Sequence, residues 1–476
     1  MTAGFGALLD PTQLKEFGVG QKTVADVLAR VVMAAPDAVP RVDIAKGPML
    51  SALADLPQGS VSRSASLLLK LGLLTEEDRR VERPGRPIIP LRLGSKWIMV
   101  GVSIRHRGGR PAEVAGVVTA LDGTLQDKSE KEKLNGSEDH EVLVKIIADM
   151  VQRLIKDEQR DVLGVGVELG GHVHRGTVIF VPSSAANRWP VFPLGEMLSK
   201  ELSGLSTVVE NDVNARAVRE IWNKDPDSHE LRFPQPHFAV VAVLDEGVGG
   251  ALVIDRKIYR GGCGMAGEIG HLTVDYSRPR RRRSSRPGNA ESGAAGFDDP
   301  CPCADAAATP GGLQGRGYGH VDALATPARI AGELGIGFSQ AAQEPSTGPG
   351  GSQTRAGEVF GTAGEALGRG IAAMLNITNP ASLLVLLPPE LARPVEDTAA
   401  AEYLRAVERA LAEDCFSSAA ADARSGRATL LVQPTGPSGA FEGAQAAATC
   451  VLDSFIAYAR GEDTESLAEA PKARKA

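Results

Sequence analysis

The sequence predicts a mixed α/β protein, with a small helical unit in front of a large body in which strands and helices alternate. Three observations predict it. Apolar residues near the N-terminus recur at helical spacing. From Trp97 onward, short apolar runs alternate with amphipathic stretches. One strand–turn–strand pattern occurs twice in that body, at 97 and again at 238. A length of 476 residues, 43% of them hydrophobic and 23% charged, suits a globular chain of two to four domains.

At the front, Val24, Val27, Leu28, Val31 and Val32 predict an amphipathic helix over roughly 21–34. Pro40 opens a second short helical stretch with Val42, Ile44 and Ala45. A third helix is expected from about Gln58 to Leu71, polar at its start and leucine-rich at its end, with Gly72 as its C-cap. The run RRVERPGRPIIPLRL then offers two short extended arms joined by Pro-Gly. Three helices followed by a basic hairpin is the plan of a winged helix-turn-helix, here 1–95. Gln58, Ser60, Ser62 and Arg63 stand where a recognition helix meets base edges, and Arg83 and Arg86 stand on the wing near phosphates. The segment Lys46 to Leu56 is longer than the usual turn of that motif.

In the body, WIMVGVSI and AEVAGVVTALDGTLQ read as strand, turn and strand, with Asp122-Gly123 as a tight turn. Val142 to Ile155 reads as a helix, VLGVGVEL and STVVEND as strands, and Val213 to Trp222 as a helix. FAVVAVL, the turn EGVGG and ALVIDRKIYRG restart the pattern, so a duplication into lobes 96–225 and 226–476 is expected, with the ligand between them. His172 and His174 fall on one face of an extended segment. A polar, arginine-rich insert at about 276–300 and a charged tail read as loops, and the C-terminal helix is expected to return to the first lobe.

Composition excludes several classes. Five cysteines form no disulfide framework, which with the absence of a signal-like N-terminus gives a cytoplasmic expectation. The apolar runs fall short of a membrane span of roughly 20 residues, so no membrane association is expected. Residues 1–95 carry 12 Lys+Arg against 10 Asp+Glu, on a chain of net charge −7, and a basic end on an acidic body points to nucleic acid.

GGCGMAGEIGHLTVD (261–275), ENDVNARAVRE (210–220) and the front RxDIA…SVSR…GLL…GRP together resemble the ROK family of repressors and sugar kinases. The resemblance implies a winged helix-turn-helix followed by two actin-like (ribonuclease H-like, sugar-kinase type) lobes with a sugar in the cleft. It assigns ligand contacts to Asn211, Asp212, Glu268, His271 and Gln314. In an active kinase Asp212 would be the general base. It also implies a structural zinc on His271, Cys301 and Cys303. The third family cysteine falls on Gly312 and the sugar-binding glutamate on Gln314, so the ligand set is incomplete and no cofactor is expected.

Departures from the kinase pattern complete the expectation. Where the kinases place a magnesium-holding aspartate and a Gly-Gly-Thr turn, this chain reads Val102-Ser103-Ile104-Arg105-His106-Arg107. Where they place Gly-Gly beside adenosine, it reads Pro388-Pro389. Gly247, Gly249 and Gly250 are the remnant of a phosphate loop. The expectation is a non-enzymatic regulator, a repressor, that binds a palindromic DNA operator as a homodimer or homotetramer and senses a sugar-like effector. The alternative is an ATP-dependent sugar kinase with a fused DNA-binding domain.

Overall fold

The computed structural model describes residues 5–46, 55–78, 89–107, 110–136, 138–180, 191–225, 227–275, 319–416, 429–435, 439–462 and 467–468. Two short helices that sequence periodicity did not indicate come first, α1 (Phe5–Leu8) and α2 (Pro11–Phe17). Four and seven residues are too few to show a period. They are fixed instead by burial of Phe5 and by the Asp10 carboxylate, which accepts from the Thr12 amide at 2.6 Å. Next come α3 (Gln21–Ala34), β1 (Val39–Pro40), α4 (Arg41–Lys46) and α5 (Gln58–Leu71). The valines and Leu28 that predicted α3 are its buried face. Gly72 ends α5 in the left-handed region, φ 73°, and its amide satisfies the Leu68 and Leu69 carbonyls. Strands β2 (Leu74–Glu76) and β3 (Pro90–Leu93) complete a three-stranded antiparallel sheet in the order β1-β3-β2.

The first lobe contains β4 (Trp97–Arg107), β5 (Arg110–Ala120), β6 (Leu125–Lys133), α6 (His140–Ile155) and β7 (Asp161–Leu169). A small hairpin, β8 (His172–His174) with β9 (Thr177–Phe180), leads to α7 (Leu194–Glu201), β10 (Thr207–Asn211) and α8 (Asp212–Trp222). The Asp122-Gly123 turn joins β5 to β6 as expected, with Gly123 at φ 82°. The length of β6 was not anticipated. LQDKSEKEK has no apolar face because it is an edge strand, and its alternating charges discourage pairing with another chain.

The second lobe opens with β11 (Phe238–Val243), β12 (Val248–Ile254) and β13 (Lys257–Ile258), then α9 (Val321–Leu324), α10 (Pro327–Leu334) and α11 (Phe338–Gln343). It continues with α12 (Arg355–Thr378), β14 (Ser382–Leu387), α13 (Pro389–Ala392), α14 (Ala399–Asp414), β15 (Thr429–Pro434) and α15 (Gly439–Ala459). A last short strand, β16 (Leu467–Ala468), pairs with β10 in the first sheet.

The two sheets repeat one plan. In the first, the order β16-β10-β7-β4-β5-β6 has β4, β7 and β10 parallel, with β5 and β6 antiparallel beside β4. In the second, β13-β12-β11-β14-β15 places β11, β14 and β15 parallel and β12 and β13 antiparallel beside β11. Helix α15 belongs to the first sheet by packing. A Cβ on Gly101 of β4 would lie 1.7 Å from the Ala444 carbonyl, and one on Gly166 of β7 would lie 1.8 Å from that of Ala447. The glycines let the helix backbone settle directly on the sheet. Its far end enters the front unit, where Val451, Leu452, Phe455 and Ile456 share one core with Phe5, Val24, Leu28 and Leu67. The front unit is therefore not a bead on a linker, because its core continues into the body.

Candidate functional site

The C-terminal ends of β4, β7 and β10 and the β11–β12 turn face one another across a cavity of about 460 Å³. That size suits a small ligand. The END motif enters from β10 into α8. Asn211 caps α8, its Oδ1 accepting from the Val213 and Asn214 amides at 2.9 and 3.1 Å, while its Nδ2 donates to the Gly171 carbonyl at 2.9 Å. Most of its capacity is spent on shaping the wall. The Asp212 Oδ1 accepts from the Val213 amide at 2.8 Å, and its Oδ2 makes no hydrogen bond with a described residue, so it is open to the cavity.

The GEIGH motif supplies the facing wall. Gly267 at φ 90° and Gly250 of β12 pack backbone to backbone, and a Cβ on either would lie within 2.5 Å of the other's carbonyl oxygen. Gly249 is similarly filled by Val213, at 2.4 Å from a would-be Cβ. Close packing thus accounts for two of the three glycines read as a phosphate loop, and only Gly247 has open space around it. The Glu268 Oε2 lies 3.8 Å from His271 Nε2, and His271 Nδ1 lies 3.6 Å from the Asp322 carboxylate. Asp322 is itself anchored by the Val248 amide at 2.7 Å. The Glu268 carboxyl is raised above its ordinary range, first by the loss of water between the cavity walls. The Asp322 and Asp212 charges add to this and His271 opposes it.

A buried polar row reaches the cavity floor at Glu168. Ser103, Glu168 and Glu210 are register partners across β4, β7 and β10. The Ser103 hydroxyl donates to Glu168, and Arg216 pairs with Glu168 at 3.3 Å while donating to the Asp212 carbonyl at 2.8 Å. Glu210 is held by Arg260 from the second lobe. Burial raises the Glu168 carboxyl, with Arg216 opposing. Gly443 of α15 lies directly over this pair, since a Cβ there would approach the Glu168 Oε1 to 2.1 Å. Sequence reasoning passed over Glu168. Its signal was a lone acid in an otherwise apolar strand, VLGVGVEL. Asp322 gave no comparable signal.

Asn211, Asp212, Glu268 and His271 are thus brought to one cavity from both lobes. Arg105 and His106 also line it, and burial pulls the His106 imidazole down to about 4, leaving it neutral near pH 7. His172 bridges the lobes, its Nε2 lying 2.5 Å from the Cys263 carbonyl oxygen. Gln58, Ser60, Ser62 and Arg63 stand away from this cavity on the first turns of α5, whose N-terminus no side chain caps. Gln58 and Arg63 are exposed, and among the described residues Arg63 is held only by a 3.4 Å contact with Ser60. Arg83, Arg86, Gln314, Cys301 and Cys303 lie outside the described residues. Among the described residues no three His, Cys, Asp or Glu side chains are grouped to hold a metal, and both His271 nitrogens face carboxylates.

A model of the ROK family matches residues 108–387. The chain belongs to the ROK family. It is similar to the xylose repressor of Caldicellulosiruptor bescii, 25% identical over 234 residues, which cover 48% of this chain and 54% of that protein. It is also similar to a glucokinase of Halalkalibacterium halodurans, 30% identical over 185 residues, covering 38% and 51%. The chain spans about half the length of the curated relatives it matches. A solved ROK family transcriptional regulator, a homolog of the E. coli MLC protein, shares the fold. It covers 92% of this chain and 98% of its own, with a TM-score of 0.63 at 16% identity. Among the described residues no helix is long and apolar enough to cross a membrane.

Proposed function

We propose that this ROK protein is a DNA-binding transcriptional regulator, a repressor, whose cleft senses a neutral, sugar-like ligand. The observation that carries this reading is the path of α15. One end lies over Ser103 and Glu168 at the cavity floor, and the other is built into the core of the front unit. At 1.5 Å per residue its 21 residues span about 31 Å in one rigid element. The repressor relatives and the fold shared with a ROK regulator support the same reading.

Helices α3, α4 and α5 with the β1-β3-β2 sheet support a winged helix-turn-helix, α5 being the recognition helix. The uncapped first turn of α5 leaves backbone amides for a phosphate, next to the exposed Gln58 and Arg63. A symmetric dimer acting in the cytoplasm would read a two-fold symmetric site.

The charge of the cleft favours a neutral polyol over a nucleotide. Glu168, Asp212, Asp245, Glu246, Glu268 and Asp322 line it, against the two cations Arg105 and Arg216. Carboxylates accept hydrogen bonds from sugar hydroxyls, whereas they repel a triphosphate. Ser103, standing where the family's kinases have their aspartate, is committed to Glu168. One observation favours the kinase reading, namely the open Asp212 Oδ2.

Purified full-length protein should enrich specific fragments from sheared genomic DNA, and a sugar should change their retention. It should show no sugar-dependent ATP turnover. Absence of any enriched fragment would end the regulator reading. Turnover lost in Asp212→Asn would establish the kinase.

A further inference from the structure

A second cavity, of about 340 Å³, lies where three parts of the chain meet: the end of α3 in the front unit, the β5–β6 turn with the end of α8, and α15. Its apolar lining comes from Val32, Leu121, Trp222 and Leu452, and its charged lining is led by Arg219 and Lys224. Arg219 is half-buried and makes no hydrogen bond or ion pair with a described residue. Its charge acts through space on the buried Glu220, and the two acids of the lining are turned to backbone amides rather than to it. Asp122 caps the Thr124 amide at 2.9 Å, and Asp225 accepts from the Asp227 and Ser228 amides at 3.0 and 2.9 Å. Lys224 donates once, to the Ala35 carbonyl of the front unit, which leaves two ammonium protons for another acceptor. Burial pulls that amine down to about 8 against the opposing charges of Asp37 and Asp122, so an incoming anion would add to a counter-charge too weak to offset burial.

We propose that this junction cavity is a second ligand site, which takes a small oxyanion with an apolar portion and holds its phosphate or carboxylate group on Arg219 and Lys224. The planar guanidinium fork suits either anion, and the Trp222 and Leu452 surfaces suit a ring or short aliphatic part. Because the occupant would touch the front unit, the first lobe and α15 together, it would stabilise their present arrangement by mass action. The site stands independently of the DNA and sugar readings.

The test is calorimetric titration of the full chain with phenyl phosphate, benzoate and inorganic phosphate. Saturable binding of phenyl phosphate or benzoate at one site per chain is expected, and the tighter of the two identifies the source of the anion. Arg219→Gln should weaken it by roughly 10-fold or more while moving the melting temperature of the free protein little, since Arg219 makes no hydrogen bond or ion pair with a described residue and the Glu220 it acts on through space keeps its pair with Arg232. Asp212→Asn, in the other cavity, should leave it intact. The proposal is overturned if neither organic anion binds saturably, or if Asp212→Asn rather than Arg219→Gln removes the binding.

Discussion

Arg460, just beyond α15, donates to the Asp26 carboxylate of α3 at 2.9 Å, and the two side chains are only 15% and 9% exposed. This pair fixes the front unit to the end of the helix whose other end covers the cleft. Phe5 adds an edge-on contact with Phe455, ring centres 5.1 Å apart, and its amide donates to the Ser206 hydroxyl at 3.0 Å. Any movement of α15 on the first sheet must carry the front unit with it or break these contacts.

Asp26→Ala should therefore destabilise the folded chain by about 2 kcal/mol, because it leaves a buried guanidinium without its carboxylate. The cost stays below that of an isolated pair because Asp453 also acts on Arg460. Urea denaturation checks it, and an unchanged midpoint would show that the pair holds nothing together.

Arg63 offers the clearest test of the α5 assignment. Replacing it with Ala should cost about 1–3 kcal/mol of specific DNA affinity if it reads a base edge, with little loss on non-specific DNA. Arg63 is exposed and its one contact among the described residues, with Ser60, is weak, so the fold should not suffer. Anisotropy titrations on cognate and scrambled duplexes at several salt concentrations separate the two terms.

The fold was legible wherever burial imposed a period. The valines of α3, the leucines of α5 and the apolar β11 and β14 show it directly. Charged β6 was not legible beyond its first residues, since a solvent-facing edge needs no apolar alternation. The candidate site was legible where glycines and acids cluster in one segment, as around Glu268. Glu168 and Asp322 were missed because each is a single acid whose partners, Ser103 and His271, lie far away in sequence. The glycines of β12 misled for a related reason. A glycine needed for contact with Gly267 or Val213 looks the same in sequence as one needed to cradle a phosphate.

His106 predicts part of the acid limb of stability. Its imidazole titrates at about 4 when folded, below the ordinary 6.5, because burial disfavours its charged form. The unfolded chain therefore takes up this proton first. The contribution is complete above pH 6.5 and is lost as pH falls from there towards 4. At pH 5 the loss comes to about 2 kcal/mol. His106→Gln should remove that share, so its stability relative to the parent chain should improve between pH 7 and pH 5. Parallel denaturation curves at the two pH values check the slope, and identical slopes would assign the acid limb to other groups.

Glu268 tests whether the cleft is the sensor. It stands in the second lobe, whereas Asp212 stands in the first, and both face the same cavity. A ligand that bridges them favours the closed arrangement only by its differential affinity for the two states. A 10-fold change in DNA affinity requires only about 1.4 kcal/mol of coupling, which is within reach of one or two hydroxyl–carboxylate hydrogen bonds. Among the described residues Glu268 makes no hydrogen bond or ion pair with the front unit or α15 that would alter DNA binding directly, and its own partner is His271. Glu268→Ala should therefore abolish the response of DNA binding to an effective sugar while leaving ligand-free DNA binding within about two-fold of the parent. Anisotropy titrations with and without the sugar measure both quantities. A variant that still responded in full would exclude Glu268 as a sensing group and move the effector to other residues.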